Sequence, residues 1–236
     1  MDQRVRRVID KSDIVLEVVD ARQINGTRSK DIENAVAKAG KKLVIVVNKS
    51  DLARPEEMPE NAVLLCARDK KGSSRLRRLI NMLAKQLKLE SVRVGVVGYA
   101  NTGKSSVINA LGGSAPTSST PGFTKGEHWA RISKNILLLD SPGLIPYREE
   151  GELELALKAA YEVKRMKDPI AAAEELIRWL GPDRVARAYE MEQFKEPDEQ
   201  LSGLARKWLM LLKGGELDLD RASRRLLKDW QRGILR

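Results

Sequence analysis

The chain has 236 residues, 42% hydrophobic and 32% charged, and its 43 Lys and Arg against 33 Asp and Glu leave a net charge of +10. That is enough chain for a sizeable core, and the longest apolar runs, LVIVV at 43–47 and NILLL at 135–139, fall far short of the ~18 residues a membrane-spanning helix needs. One cysteine, Cys66, and one histidine, His128, exclude an intramolecular disulfide and any zinc site built on a cysteine cluster.

No charged-then-apolar leader opens the chain, so the expected address is the cytoplasm, with no membrane association and a monomer as the default. Strand-like runs follow at 13–19 (DIVLEVV), 42–47 (KLVIVV), 62–66 (AVLLC), 92–97 (VRVGVV) and 135–139 (NILLL), with helical stretches near 28–39, 73–89 and 104–111. Apolar strands alternating with helices predict an α/β domain whose mostly parallel sheet is covered on both faces. Residues 127–132 (EHWARI) add a sixth strand, read as an antiparallel edge.

Past about residue 148 the strand signal stops. Segments 152–166, 170–180, 183–193, 198–213 and 219–231 are helical in pattern, punctuated by Asp168-Pro169, Gly181-Pro182, Pro197 and Gly214-Gly215. Trp179, Trp208 and Trp230 fall here and are read as core anchors of a small bundle. The expectation is two domains, an α/β domain over 1–148 and an all-α domain over 149–236. The basic excess is clustered: residues 68–88 hold eight Lys and Arg against Asp69, and residues 221–236 hold six against Asp229. Each stripe alone is as well read as a solvated helix face; together, beside a nucleotide pocket, they favour RNA as partner.

Three motifs carry the chemistry. Residues 98–106 read GYANTGKSS, the phosphate-loop pattern G-x-x-x-x-G-K-[ST], placed after one strand and before an apolar-patterned helix. Here backbone N–H groups face a phosphate, Lys104 reaches the β- and γ-phosphates, and Ser105 holds Mg²⁺. Asn101, Thr102, Gly103 and Ser106 complete the loop. Residues 48–51, Asn48-Lys49-Ser50-Asp51, form an N-K-x-D box after LVIVV. The Asp51 carboxylate can accept from guanine's N1–H and exocyclic amine, a pairing adenine cannot offer, while the Lys49 stem lies over the base. In NILLLDSPG, Asp140 is placed for Mg²⁺ through water and Gly143 for the γ-phosphate. Between these, the loop 112–126 offers Thr124, with Thr120 as the alternative, as a switch hydroxyl for Mg²⁺. The base-reading box precedes the phosphate loop, the reverse of ordinary GTPases, so these motifs predict a circularly permuted P-loop GTPase domain that binds GTP and GDP.

The order N-K-x-D, GYANTGKS, PGFT, DSPG resembles the circularly permuted GTPases that assist ribosome assembly. The opening, SDIVLEVVDAR followed by KKLVIVVNKSD, is similar to that family's first two strands, although Gln23-Ile24-Asn25 departs from its usual D-A-R-x-P pattern. The likeness is strong over residues 1–148 and covers the rest only in general layout. With no cysteine-histidine module, the chain looks more like the large-subunit branch, which has a helical RNA-contacting C-terminal domain. The resemblance therefore implies GTP hydrolysis coupled to binding of rRNA or a pre-ribosomal large subunit. It also implies that Cys66, Ala67 and Arg68 form the loop in which the Ala67 amide meets the guanine carbonyl. Leu144 stands where many GTPases have a glutamine that orients water, which implies slow unassisted turnover. Asn101 resembles the asparagine of potassium-stimulated GTPases, which helps bind K⁺; its other role is to shape the turn. His128 is read as an edge-strand residue. A small-subunit GTPase and a nucleotide-gated RNA-binding module are the rival readings.

Overall fold

The computed structural model describes residues 2–52, 59, 62–114, 128–140, 152–158 and 162–235. The chain folds as two compact units, residues 1–148 and 149–236.

The first unit is built on a six-stranded sheet of β1 (Ile14–Asp20), β2 (Lys42–Asn48), β3 (Val63–Leu65), β4 (Val92–Val97), β5 (His128–Ser133) and β6 (Ile136–Asp140), in the order β3-β2-β1-β4-β6-β5. The first five strands in that order are parallel, and β5 runs antiparallel to β6 at the edge, as the sequence predicts. All seven residues of β1 are buried, which is why IVLEVV reads as a near-continuous apolar run rather than an alternating one.

Helices cover both faces. On one, Ile14, Leu16 and Val18 of β1 pack with Leu76 and Ile80 of α4 (Ser73–Gln86) and with Val107 and Ile108 of α5 (Lys104–Ala110). On the other, Val15 and Val97 meet Val5, Val8 and Ile9 of α1 (Gln3–Lys11) and Ile32 and Val36 of α3 (Lys30–Lys38). A Cβ on Gly95 would lie 2.3 Å from Ser12 Oγ and 2.9 Å from Val8, so the approach of α1 to β4 requires glycine there. The predicted 28–39 helix is α3, and a short α2 (Ile24–Thr27) that sequence pattern does not suggest precedes it. Sequence pattern did not suggest α1.

Leaving β1, the chain first builds β2 and β3 on one side and later places β4 on the other. The loops at the carboxyl ends of β1, β2 and β4 therefore face one crevice, the place where open parallel sheets bind ligands.

The second unit is all-helical: α6 (Glu152–Leu157), α7 (Pro169–Leu180), α8 (Pro182–Ala188), α9 (Pro197–Lys207) and α10 (Leu219–Arg232), with a 3₁₀ turn at Val163–Arg165. The predicted 152–166 helix is thus shorter, and 183–193 and 198–213 stop early. Asp168 and Asp218 cap α7 and α10 by accepting from the Ala171 and Arg221 amides, each at 3.0 Å. Trp230 is fully buried, meets Trp179 edge-on with ring centroids 5.5 Å apart, and donates through Nε1 to the Leu157 carbonyl at 2.8 Å. Among the described residues no helix is long and apolar enough to cross a membrane.

Candidate functional site

The loop after β4 turns through Asn101, at φ +61°, and Gly103, at φ +92°. A Cβ on Gly103 would lie 2.3 Å from Asn48 Nδ2, so both the backbone conformation and the neighbouring strand end call for glycine. Thr102 is buried, its Oγ1 donating to the Tyr99 carbonyl at 3.0 Å. Lys104 opens α5 and is buried, with Nζ curled back onto the carbonyls of Gly98 (3.1 Å) and Tyr99 (2.8 Å). Burial pulls its pKa down to about 8, and the Asp140 charge acts in the opposite direction. In this arrangement Lys104 closes the loop on itself, with its ammonium inside the curve that a phosphate would enter.

Ser105 Oγ donates to Asp140 Oδ2 at 2.8 Å, bringing together the two residues proposed for Mg²⁺ although they come from different motifs. Asp140 is fully buried at the end of β6. One hydroxyl and one carboxylate are a small protein share, suited to an ion that keeps waters and binds through ligand phosphates. Ser106 is half-buried in the first turn of α5.

The N-K-x-D box ends β2 and is tied to the phosphate loop by two bonds. Asn48 Nδ2 donates to the Thr102 carbonyl at 2.9 Å, and Lys49 Nζ donates to the Asn101 carbonyl at 2.7 Å. Asn48 Oδ1 also accepts from the Ala67 amide at 3.1 Å, which draws in the third segment. Beyond it, Cys66 Sγ donates to Asp51 Oδ1 at 3.2 Å and the Arg68 guanidinium to Asp51 Oδ2 at 3.2 Å. The burial of Cys66 pushes its thiol pKa up, so it stays a protonated donor. Both Asp51 oxygens thus already hold donors, and a base with two N–H groups would exchange with them.

The structure therefore brings Asn48, Lys49, Asp51, Cys66, Ala67, Arg68, Asn101, Thr102, Gly103, Lys104, Ser105 and Asp140 into one crevice. Thr120, Thr124, Gly143 and Leu144 lie outside the described residues. Two further members, Asp20 and Arg22, escaped the sequence reading. Asp20 ends β1 with its side chain 3% exposed, paired with Lys49 and with Arg22, both at 2.7 Å. A carboxylate closing a mostly apolar strand is the signal that could have found it.

Comparison with known proteins shows the family. Residues 93–210 match the family model described as 50S ribosome-binding GTPase, a stretch that starts within β4 and so takes in the phosphate loop while the N-K-x-D box lies upstream. An uncharacterized GTP-binding protein of Methanocaldococcus jannaschii is 36% identical over 98% of this chain and 65% of its own length. The guanine nucleotide-binding protein-like 3 homolog of Caenorhabditis elegans is 32% identical over 98% of this chain and 48% of its own. The chain thus spans between about half and two thirds of the length of these curated relatives. Among solved structures, GNP-bound YlqF from T. maritima superposes with a TM-score of 0.62 at 24% identity, covering 98% of this chain and 93% of that one, a likeness of fold. With residues 93–210 of 236 inside the family model, and with the base-reading motif ahead of the phosphate loop, this chain belongs to the 50S ribosome-binding GTPase family in circularly permuted form.

Proposed function

We propose that this protein binds GTP and hydrolyses it to GDP and phosphate while engaged with the rRNA of a large ribosomal subunit precursor, and that hydrolysis times its release. The observation that carries the nucleotide reading is the pair of bonds from Asn48 and Lys49 to the Thr102 and Asn101 carbonyls. They support reading the N-K-x-D box and the phosphate loop as parts of one site even though chain order separates them.

In this reading Asp51 reads guanine's N–H edge, the Ala67 amide meets its carbonyl, and Lys104 leaves the Gly98 and Tyr99 carbonyls for the phosphates. Ser105 and Asp140 would hold Mg²⁺, whose chemistry is to neutralise charge on the transferring phosphoryl group. Thr124, or Thr120, and Gly143 would complete the γ-phosphate contacts. K⁺ stimulation is proposed from the place of Asn101 in the loop. The left-handed backbone there accounts for asparagine on steric grounds as well, and equal hydrolysis rates in Na⁺ and K⁺ would remove the K⁺ role.

The RNA reading is supported by α10. Arg221, Arg225, Lys228 and Arg232 recur at intervals that place them on one helix face, and with Arg224 they outnumber Asp220 and Asp229 around a groove of about 520 Å³ that Met210 also borders. Arg224 is otherwise engaged: it pairs with Asp220 at 2.7 Å and bonds the Val163 carbonyl at 2.6 Å. Arg225 lies 4.3 Å from the centre of the Trp208 ring, which orients it. Such a face suits phosphates. The free protein is taken as a monomer, and the proposed partner puts it where large subunits are assembled, the cytoplasm in a cell without a nucleus.

The deciding experiment measures GTP hydrolysis in K⁺ buffer with no subunits, with small subunits and with large subunits. Stimulation by large subunits alone is the expected result. Stimulation by small subunits would move the partner to the other particle, and no hydrolysis under any condition would overturn the enzymatic reading.

A further inference from the structure

Asp20 is not among the residues read as contacting the nucleotide, yet its carboxylate is bonded to both Arg22 and Lys49. Arg22 Nε donates to its Oδ1 at 2.9 Å, an Arg22 terminal nitrogen to Oδ2 at 2.7 Å, and the Arg22 amide to Oδ1 at 3.0 Å. Lys49 Nζ donates to the same Oδ2 at 2.7 Å and to the Asn101 carbonyl at 2.7 Å. The result is a continuous path from Arg22 through Asp20 and Lys49 to the phosphate loop, with the Asp20 and Arg22 side chains each 3% exposed.

Three features say that this path sets geometry rather than merely adding stability. Burying an ion pair is costly, and an apolar pair of similar size commonly does as well for stability alone. Lys49 has φ +59°, a left-handed conformation uncommon for a non-glycine residue, and its ammonium is bonded on both sides, to Asp20 and to the Asn101 carbonyl. And Lys49 lies between Asn48, bonded to Thr102, and Asp51, so moving it moves the base-reading carboxylate relative to the loop. Although burial works against it, the two cations hold Asp20 well below the usual carboxylate range. Burial lowers the Lys49 pKa, and the Asp20 charge is the main influence keeping the ammonium protonated.

We propose that Asp20, clamped by Arg22, is a positioning residue that fixes Lys49 between the base-reading box and the phosphate loop, and so sets nucleotide affinity without contacting the nucleotide. This rests on the guanine nucleotide reading of the crevice.

The test measures GDP dissociation constants at about 20 °C by competition with a fluorescent GDP analogue, on the full chain, with folding checked by circular dichroism. The proteins are wild type, Asp20→Asn, Arg22→Lys, Lys49→Met and the Asp20→Asn/Lys49→Met double variant. Asp20→Asn is expected to weaken GDP binding roughly ten- to a hundredfold, and Arg22→Lys, which keeps the charge but loses the fork, by less. In the Lys49→Met background Asp20→Asn should add little, because its effect runs through Lys49. A solely structural Asp20 would lower the melting temperature but leave the affinity of the folded protein unchanged, and that result overturns the proposal. So do equal, additive losses in the two backgrounds. If Asp20→Asn fails to fold, Arg22→Lys alone decides: unchanged affinity in that folded variant overturns the clamp. Wild-type protein that fails to bind GDP would remove the crevice reading and the positioning role with it, whereas a tight wild type with an equally tight Asp20→Asn removes the positioning role only.

Discussion

Asn48 donates through Nδ2 to the carbonyl oxygen of Thr102 at 2.9 Å, joining residues 54 positions apart in the chain. The same amide accepts from the Ala67 N–H at 3.1 Å, so one buried side chain holds three loops at the carboxyl edge of the sheet. Each bond satisfies a backbone group that would otherwise be buried with less support.

Asn48→Ala removes both bonds and leaves the Thr102 carbonyl and Ala67 N–H to find other partners. A cost of about 1–3 kcal/mol per buried group left unpaired sets the scale, so unfolding in urea should show a stability loss of that order. GDP affinity should fall as well, since base-reading and phosphate-reading segments lose a shared tie.

Asp51→Asn tests the base reading. The variant carries an amide where the carboxylate accepts from Cys66 Sγ and Arg68, and an amide can donate to a base carbonyl. GTP affinity should drop by roughly a hundredfold or more, while xanthosine triphosphate becomes the preferred ligand. Competition binding with the two triphosphates measures it, and unchanged preference would mean that Asp51 does not face the base.

Lys104 makes nucleotide binding dependent on pH. Burial has pulled its pKa down to about 8 before any anion arrives. A phosphate beside it favours the cation and raises that value. Below about pH 8 Lys104 is charged in both states and binding moves no proton through it; above, binding takes one up and affinity falls, by at most about tenfold per pH unit. Calorimetry at about pH 8.5 in two buffers of different ionisation enthalpy should detect the uptake, and Lys104→Arg should abolish it.

Glu17 sits in the middle of β1, fully buried, with Oε1 accepting from the Ser29 amide at 2.7 Å and Oε2 without a hydrogen-bond partner among the described residues. Burial raises its pKa to about 7 from 4.5, with nearby Glu33 adding to the rise while the Ser29 amide and Arg28 oppose it. Between those values the folded protein holds a proton that the unfolded chain has released, so stability falls as pH rises from about 4.5 to about 7 and stays lower above. Glu17→Gln should therefore stabilise the protein at about pH 8, by roughly 3 kcal/mol at most, and the gain should shrink towards about pH 5. Melting temperatures of both proteins across that range give the comparison.

The strands were legible in the sequence, because each is a local pattern, an apolar run ending at a loop. The ends of several helices were not. α4, α8 and α9 stop short of their predicted limits, each followed by a left-handed residue that is not glycine: Lys88 (φ +55°), Glu190 (φ +48°) and Leu209 (φ +52°). The amides of Leu89, Met191 and Met210 then turn back to the carbonyls of Ala84, Ala186 and Ala205. Nothing in a lysine, glutamate or leucine announces such an ending. α1 was missed for a related reason, since Val5, Val8 and Ile9 are too few among charged neighbours to stand out until β4 and α3 cover them.

The chain's own order of residues was sufficient to show a permuted GTPase domain, because each motif lies within a few consecutive positions. Which charges meet could not be read that way. The pairing of Asp20 with Lys49 links the ends of two neighbouring strands that are 29 positions apart, and Ser105 meets Asp140 across 35. Those contacts exist because parallel β1, β2, β4 and β6 bring their carboxyl ends to one edge, where burial makes an unpartnered charge too costly to keep. Folding, not motif spacing, turns these separate signatures into one site.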